Sequence, residues 1–197
     1  LHCTDANADC ANARAGVAGA GVSNRFLTMG PLDQDSDGTT TISTSANLSI
    51  PAGSTVRFAG LYWHAQSNSA TRGQALFRTP AMSGYSVVNA SIIDTQGAGA
   101  NQPYQAFVDV TSQVAAGGSG TYWVANVQAN SGAGAPVSGY EAGWSLVVVF
   151  QNQPHDSPVS PDGHSSSFEH GVRHAANMQR SPSGQTLSSA HAVRLAE

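Results

Sequence analysis

Between Asn24 and Phe150 apolar residues recur at every second position in short runs, and each run is cut by Gly, Pro, Ser or Asn. A period of two sends successive side chains to opposite sides of an extended chain, so each run buries one face and wets the other. Eight such runs are legible: residues 24–30, 39–50, 56–65, 74–79, 85–93, 104–114, 121–129 and 143–150. They are dense in Val, Ile, Thr, Phe, Tyr and Trp, which favour strands. Pro51-Ala52-Gly53-Ser54 and similar stretches supply the turns. The pattern predicts an all-β fold, an antiparallel, jelly-roll-like β-sandwich of about eight strands.

The run Leu146-Val147-Val148-Val149-Phe150 is apolar on both parities. Both its faces need cover, which places it inside a sheet rather than at an edge. Outside the strands the pattern fades. Residues 1–23 are rich in Ala, Gly and Asn and read as a weakly structured arm, with a weak helix over 11–20 at most. Residues 151–197 read as an irregular or partly helical, polar extension holding five of the seven histidines. The division is therefore arm 1–23, sandwich 24–150 and extension 151–197.

Charge narrows the partners. Only 10% of residues are charged, there is no lysine, and the net charge is −4. A chain without a basic run is not built for nucleic acid. No apolar stretch reaches the ~18 residues of a transmembrane helix. The absence of lysine also rules out an internal Lys–Asn isopeptide crosslink. Cys3 and Cys10 are close in sequence and lack the spacing of a metal knuckle, so a disulfide in an oxidising compartment is expected.

The stretch "DQDSDG" is the sharpest candidate site. Asp33, Asp35 and Asp37 alternate and Gly38 follows, as in calcium loops. Position twelve of an EF-hand would be Thr44 instead of glutamate, and no helices flank the loop, so only a looser calcium turn is expected. The competing reading is a solvated acidic turn. In the extension, Glu169, His170 and His174, with His164, are candidate zinc ligands if the segment is helical. Tyr62, Trp63, Trp123 and Trp144 are the candidate aromatic contacts for a glycan or protein partner. Asn47 and Asn89 head glycosylation tripeptides. No G-x-S-x-G elbow and no pair of catalytic carboxylates is present, and a non-enzymatic protein is expected.

Three blocks, "PAGSTVRFAGLYWHAQ" (51–66), "YQAFVDVTSQVAAGGSGTYWVANVQA" (104–129) and "YEAGWSLVVVF" (140–150), stand in an informative order and spacing. Together they resemble a β-rich domain near the N-terminus of large secreted or wall-attached proteins of high-GC Gram-positive bacteria. The resemblance covers about residues 24–150. It implies an extracellular, cell-surface domain and brings no catalytic residues with it. After Phe150 the chain departs from the pattern: a further strand is expected there, and "NQPHDSPVSPDGHSSSFEHG" stands in its place.

These features lead to one expected function: a structural, assembly or adhesive surface domain, self-associating into fibres through strand or arm exchange. Its partners would be copies of itself or other surface proteins. The alternative is a carbohydrate-binding module with a structural calcium ion.

Overall fold

Strand formation follows the two-residue period closely. The structure is a computed structural model that describes residues 1–6, 8–15, 27–132, 140–152 and 188–195. In chain order the elements are β1 (His2–Cys3), α1 (Ala8–Ala15), β2 (Met29–Gly30), β3 (Ser43–Leu48), β4 (Thr55–Gln66), β5 (Gln74–Arg78) and β6 (Ser86–Asn89). Then come β7 (Ile92–Thr95), β8 (Pro103–Asp109), α2 (Thr111–Gly117), β9 (Gly120–Ala125), β10 (Ala142–Gln151) and β11 (Ser188–Leu195). A five-stranded sheet in the order β11-β10-β4-β8-β7 packs on a four-stranded sheet in the order β3-β9-β5-β6. The fold is the expected all-β sandwich. All pairings are antiparallel except β10 with β11.

The core is filled by alternate residues. From β4 come Ala59, Leu61, Trp63 and Ala65, and from β10 Trp144, Leu146, Val148 and Phe150, all buried. The facing sheet contributes Ala46, Leu48, Ala75, Phe77, Val88, Tyr122 and Val124. Buried polar tips find partners, as burial demands. The Trp144 indole N–H donates to Thr44 Oγ1 at 2.7 Å, tying one sheet to the other. The Trp63 indole N–H donates to the Arg72 carbonyl at 3.1 Å, and Tyr122 O–H to the Gly118 carbonyl at 2.7 Å.

Four elements differ from the sequence reading. The run 85–93 is not one strand. It breaks at Ala90-Ser91, where Ala90 N–H donates to the Gly73 carbonyl and Ser91 N–H to the Phe107 carbonyl. The chain thereby steps from one sheet to the other, leaving β6 and β7 as separate edge strands. The run 104–114 ends as a strand at Asp109, because the Asp109 carboxylate accepts the Thr111 N–H at 2.8 Å and starts α2. Val110 and Val114, one helical turn apart, both reach zero exposure, so the 3.6-residue period wins there.

The arm is also more ordered than expected. Residues 8–15 form α1, Cys3 and Cys10 are disulfide-bonded, and β1 pairs with β2. Leu1, Cys3 and Cys10 have no exposure and belong to the main core. Thr4 N–H donates to the Thr28 carbonyl, and the Asp5 carboxylate accepts the Thr28 N–H at 2.6 Å.

Finally, 188–195 is a strand and not a polar tail. It lies parallel to β10, with Trp144 opposite Ser188 and Gln151 opposite Leu195. An unpaired backbone edge beside the apolar β10 is costly, and β11 satisfies it. The segment 165–180 and its candidate zinc ligands, His164, Glu169, His170 and His174, lie outside the described residues.

Candidate functional site

The acidic loop is built as a hydroxyl-filled turn. Asp33 forms a parallel bridge with Ser43 at the start of β3, which folds the loop back on the sheet. Ser43 Oγ lies 2.6 Å from Asp33 Oδ1 and 3.0 Å from Asp35 Oδ1, and accepts the N–H groups of Gln34 and Asp35. Thr40 Oγ1 lies 3.2 Å from Asp33 Oδ1 and 3.1 Å from Asp35 Oδ1. Asp37 turns aside, its Oδ1 accepting from Thr39 N–H at 2.9 Å and Thr39 O–H at 2.7 Å. The structure therefore brings Asp33 and Asp35 together around two hydroxyls and leaves Asp37 capping its own turn. Among the described residues no group of three or more His, Cys, Asp or Glu is placed to hold a metal ion.

Asp35 is the anchor of this loop. Its side chain is only 5% exposed, its second oxygen accepts the Tyr85 hydroxyl, and Arg78 approaches at 3.8 Å. Burial pushes its carboxyl up, but hydrogen bonds from Tyr85, the Asp37 amide, Ser43 and Thr40 outweigh that and hold it down at about 2. Tyr85 moves the other way, raised first by burial and then by its bond to the Asp35 charge.

A pH dependence follows. A carboxylate with a depressed folded value adds stability above its unfolded pKa and loses it as pH falls through the folded one. Tyr85→Phe is expected to cost about 1.5–3 kcal/mol at pH 6, the range for a hydrogen bond to a charged group. The cost should shrink as pH falls from about 4 through 2. Urea unfolding of both proteins at pH 6 and pH 2 checks this; an equal cost at both would show that the bond is not coupled to the Asp35 charge.

The four aromatic candidates part company. Trp63 and Trp144 are 1% and 3% exposed, face the core and cannot present a ring to a ligand. That is a correction, and alternation is its cause: in Tyr62-Trp63 and Tyr122-Trp123 one ring points in and one out. Tyr62 and Trp123 are the outward members, half-buried on opposite outer faces of the sandwich. Tyr62 belongs to a ring cluster over Gly60, with Phe107 at 4.9 Å between centroids and Phe58 stacked on Phe107 at 6.4 Å. A Cβ on Gly60 would meet those three rings at 2.8–3.0 Å, so the glycine is the floor on which they close.

Exposed large apolar side chains lie elsewhere among the described residues, on strands whose exposure the sequence reading missed. Val87 is 59% exposed, Ile92 62% and Ile93 43%, and these are the exposed large hydrophobics among the described residues. Val87 lies on β6, the last strand of the four-stranded sheet. Ile92 and Ile93 lie on β7, the last strand of the five-stranded sheet. Only Ala90 and Ser91 separate the two strands, so both sheets end at one flank. Among the described residues β6 pairs only with β5 and β7 only with β8, which leaves one side of each ladder open. The signal was present in "SVVNASII": Asn89-Ala90-Ser91 is a turn tripeptide set between two apolar pairs.

No protein-family model, curated protein or solved structure matches the chain.

Proposed function

We propose that this is an extracellular structural domain that self-associates through its β6–β7 flank. The observation that carries the reading is the coincidence of two open strand edges with Val87, Ile92 and Ile93 at one side of the sandwich. An open edge offers unpaired N–H and C=O groups to a further strand, and soluble monomers normally blunt such edges with charge or proline. Here the only charge on β7 is Asp94, and β6 has none. The strand chemistry thus favours edge-to-edge pairing with a second copy.

The arm supports a role in stability and not in exchange, because Leu1, Cys3 and Cys10 are already buried in the chain's own core. The disulfide supports an oxidising, extracellular location. The resemblance of residues 51–66, 104–129 and 140–150 to blocks of wall-attached surface proteins supports the same reading.

Light scattering after size exclusion, over a hundredfold range of concentration, tests the proposal. The wild type is expected to gain mass with concentration, and the Ile92→Lys/Ile93→Lys double variant to remain monomeric with an unchanged circular dichroism spectrum. A wild type that stays monomeric throughout would overturn the reading.

A further inference from the structure

The outer face of the four-stranded sheet carries an arrangement that pairing at the β6–β7 flank does not use. Register sets Ser45, Trp123 and Arg78 side by side in one row across β3, β9 and β5. The Arg78 guanidinium carbon sits 4.7 Å from the Tyr85 ring centre and 5.0 Å from that of Trp123. Its charge is balanced by Asp35 at 3.8 Å, too long for a hydrogen bond. Among the described residues no acceptor hydrogen-bonds its donors, and the side chain is 21% exposed. A guanidinium presents five N–H donors in a fixed plane. Here two rings and a carboxylate hold that plane still, so little side-chain freedom is left to lose on binding.

The chemistry of the ligand follows from what surrounds the donors. An anionic group approaching Arg78 would meet the Asp35 carboxylate, which stays ionised far below neutral pH. A neutral polyol meets no such repulsion, and its hydroxyl oxygens can accept from Arg78. Trp123 is half-buried on the same face, and an indole surface suits the C–H face of a sugar ring. The neighbouring row is polar too, with Thr121 donating to Asn47 at 2.7 Å. An open sheet face fits an extended chain of sugars better than a small molecule that needs a cavity.

We propose that this face binds neutral pyranose residues of an extended glycan, with Trp123 as the stacking surface and Arg78 as the hydroxyl-directed donor. Arg78 and Trp123 lie on β5 and β9, inside the sheet, and not on the backbone edges that self-association uses.

Affinity electrophoresis of the full chain in native gels tests it, with neutral β-glucan, mannan or arabinogalactan in the gel and polygalacturonate as the anionic polymer. At least one neutral polysaccharide is expected to retard the wild type, and polygalacturonate is not. Trp123→Ala and Arg78→Lys should each weaken the retardation about tenfold or more, with unchanged circular dichroism spectra. The Ile92→Lys/Ile93→Lys variant should be retarded like the wild type, which separates this site from the flank. Retardation by polygalacturonate alone, by no polymer, or unaltered in both folded site variants would overturn the proposal.

Discussion

Leu146→Ala is expected to destabilise the folded chain by about 3–4 kcal/mol, within the range for a fully buried leucine. Leu146 has no exposure and faces the opposing sheet between Trp144 and Val148. Truncation removes buried methyl groups and leaves a cavity in the close-packed layer between the sheets. Val147→Ala, one residue on, is expected to cost only about 1 kcal/mol, because Val147 lies half-buried on the outer face opposite Gly60. Urea unfolding of the two variants beside the wild type measures the difference. Similar costs would mean that the inward and outward faces of β10 are wrongly assigned.

Removing the disulfide carries the second large effect. The bond closes a loop with a sequence separation of 7. Chain-entropy arithmetic for so short a loop gives roughly 2.5 kcal/mol. The cross-link also has a packing role. β1 and β2 pair over two residues only, a ladder too short to persist alone. Yet this segment carries Leu1 and Cys3 into the core beside Met29, which is 1% exposed. Cys3→Ala/Cys10→Ala is therefore expected to lower stability by about 2–3 kcal/mol and to make residues 1–15 susceptible to proteases before the sandwich unfolds. Unfolding curves and limited proteolysis, with and without a reducing agent, check both effects. No change on reduction would show that the arm is held by packing alone.

The strands were legible in the sequence because a half-buried ribbon must alternate, and Ala59-Leu61-Trp63 and Trp144-Leu146-Val148 do so plainly. Strand order was not, because pairing joins residues far apart: Trp63 meets Trp144 on one side and Ala106 on the other. The end of β8 was hidden for a different reason. Val108, Val110 and Val114 keep the parity of a strand, and the turn into α2 rests on the Asp109–Thr111 hydrogen bond together with the burial of Val110 and Val114 one helical turn apart. At the acidic loop the sequence showed the three carboxylates but not their partners. Ser43 and Thr40 lie within ten residues of Asp33, whereas Arg78, at the end of β5, and Tyr85, just before β6, are brought near by folding. Aromatic candidates were half resolved. Alternation identifies which of two adjacent rings points outward once the inner face is known, and a lone Trp144 gives no such pair. The open flank escaped notice because exposure of Ile92 and Ile93 depends on which strand ends the sheet, a fact of topology.

Self-pairing through the flank is most directly tested by backbone amide hydrogen exchange of Ile92–Thr95 as a function of protein concentration. Amides of β7 that point away from β8 should exchange freely in dilute solution and become protected as concentration rises, while those of Leu61 and Leu146 in the core stay protected throughout. Identical exchange of β7 at every concentration would contradict the account.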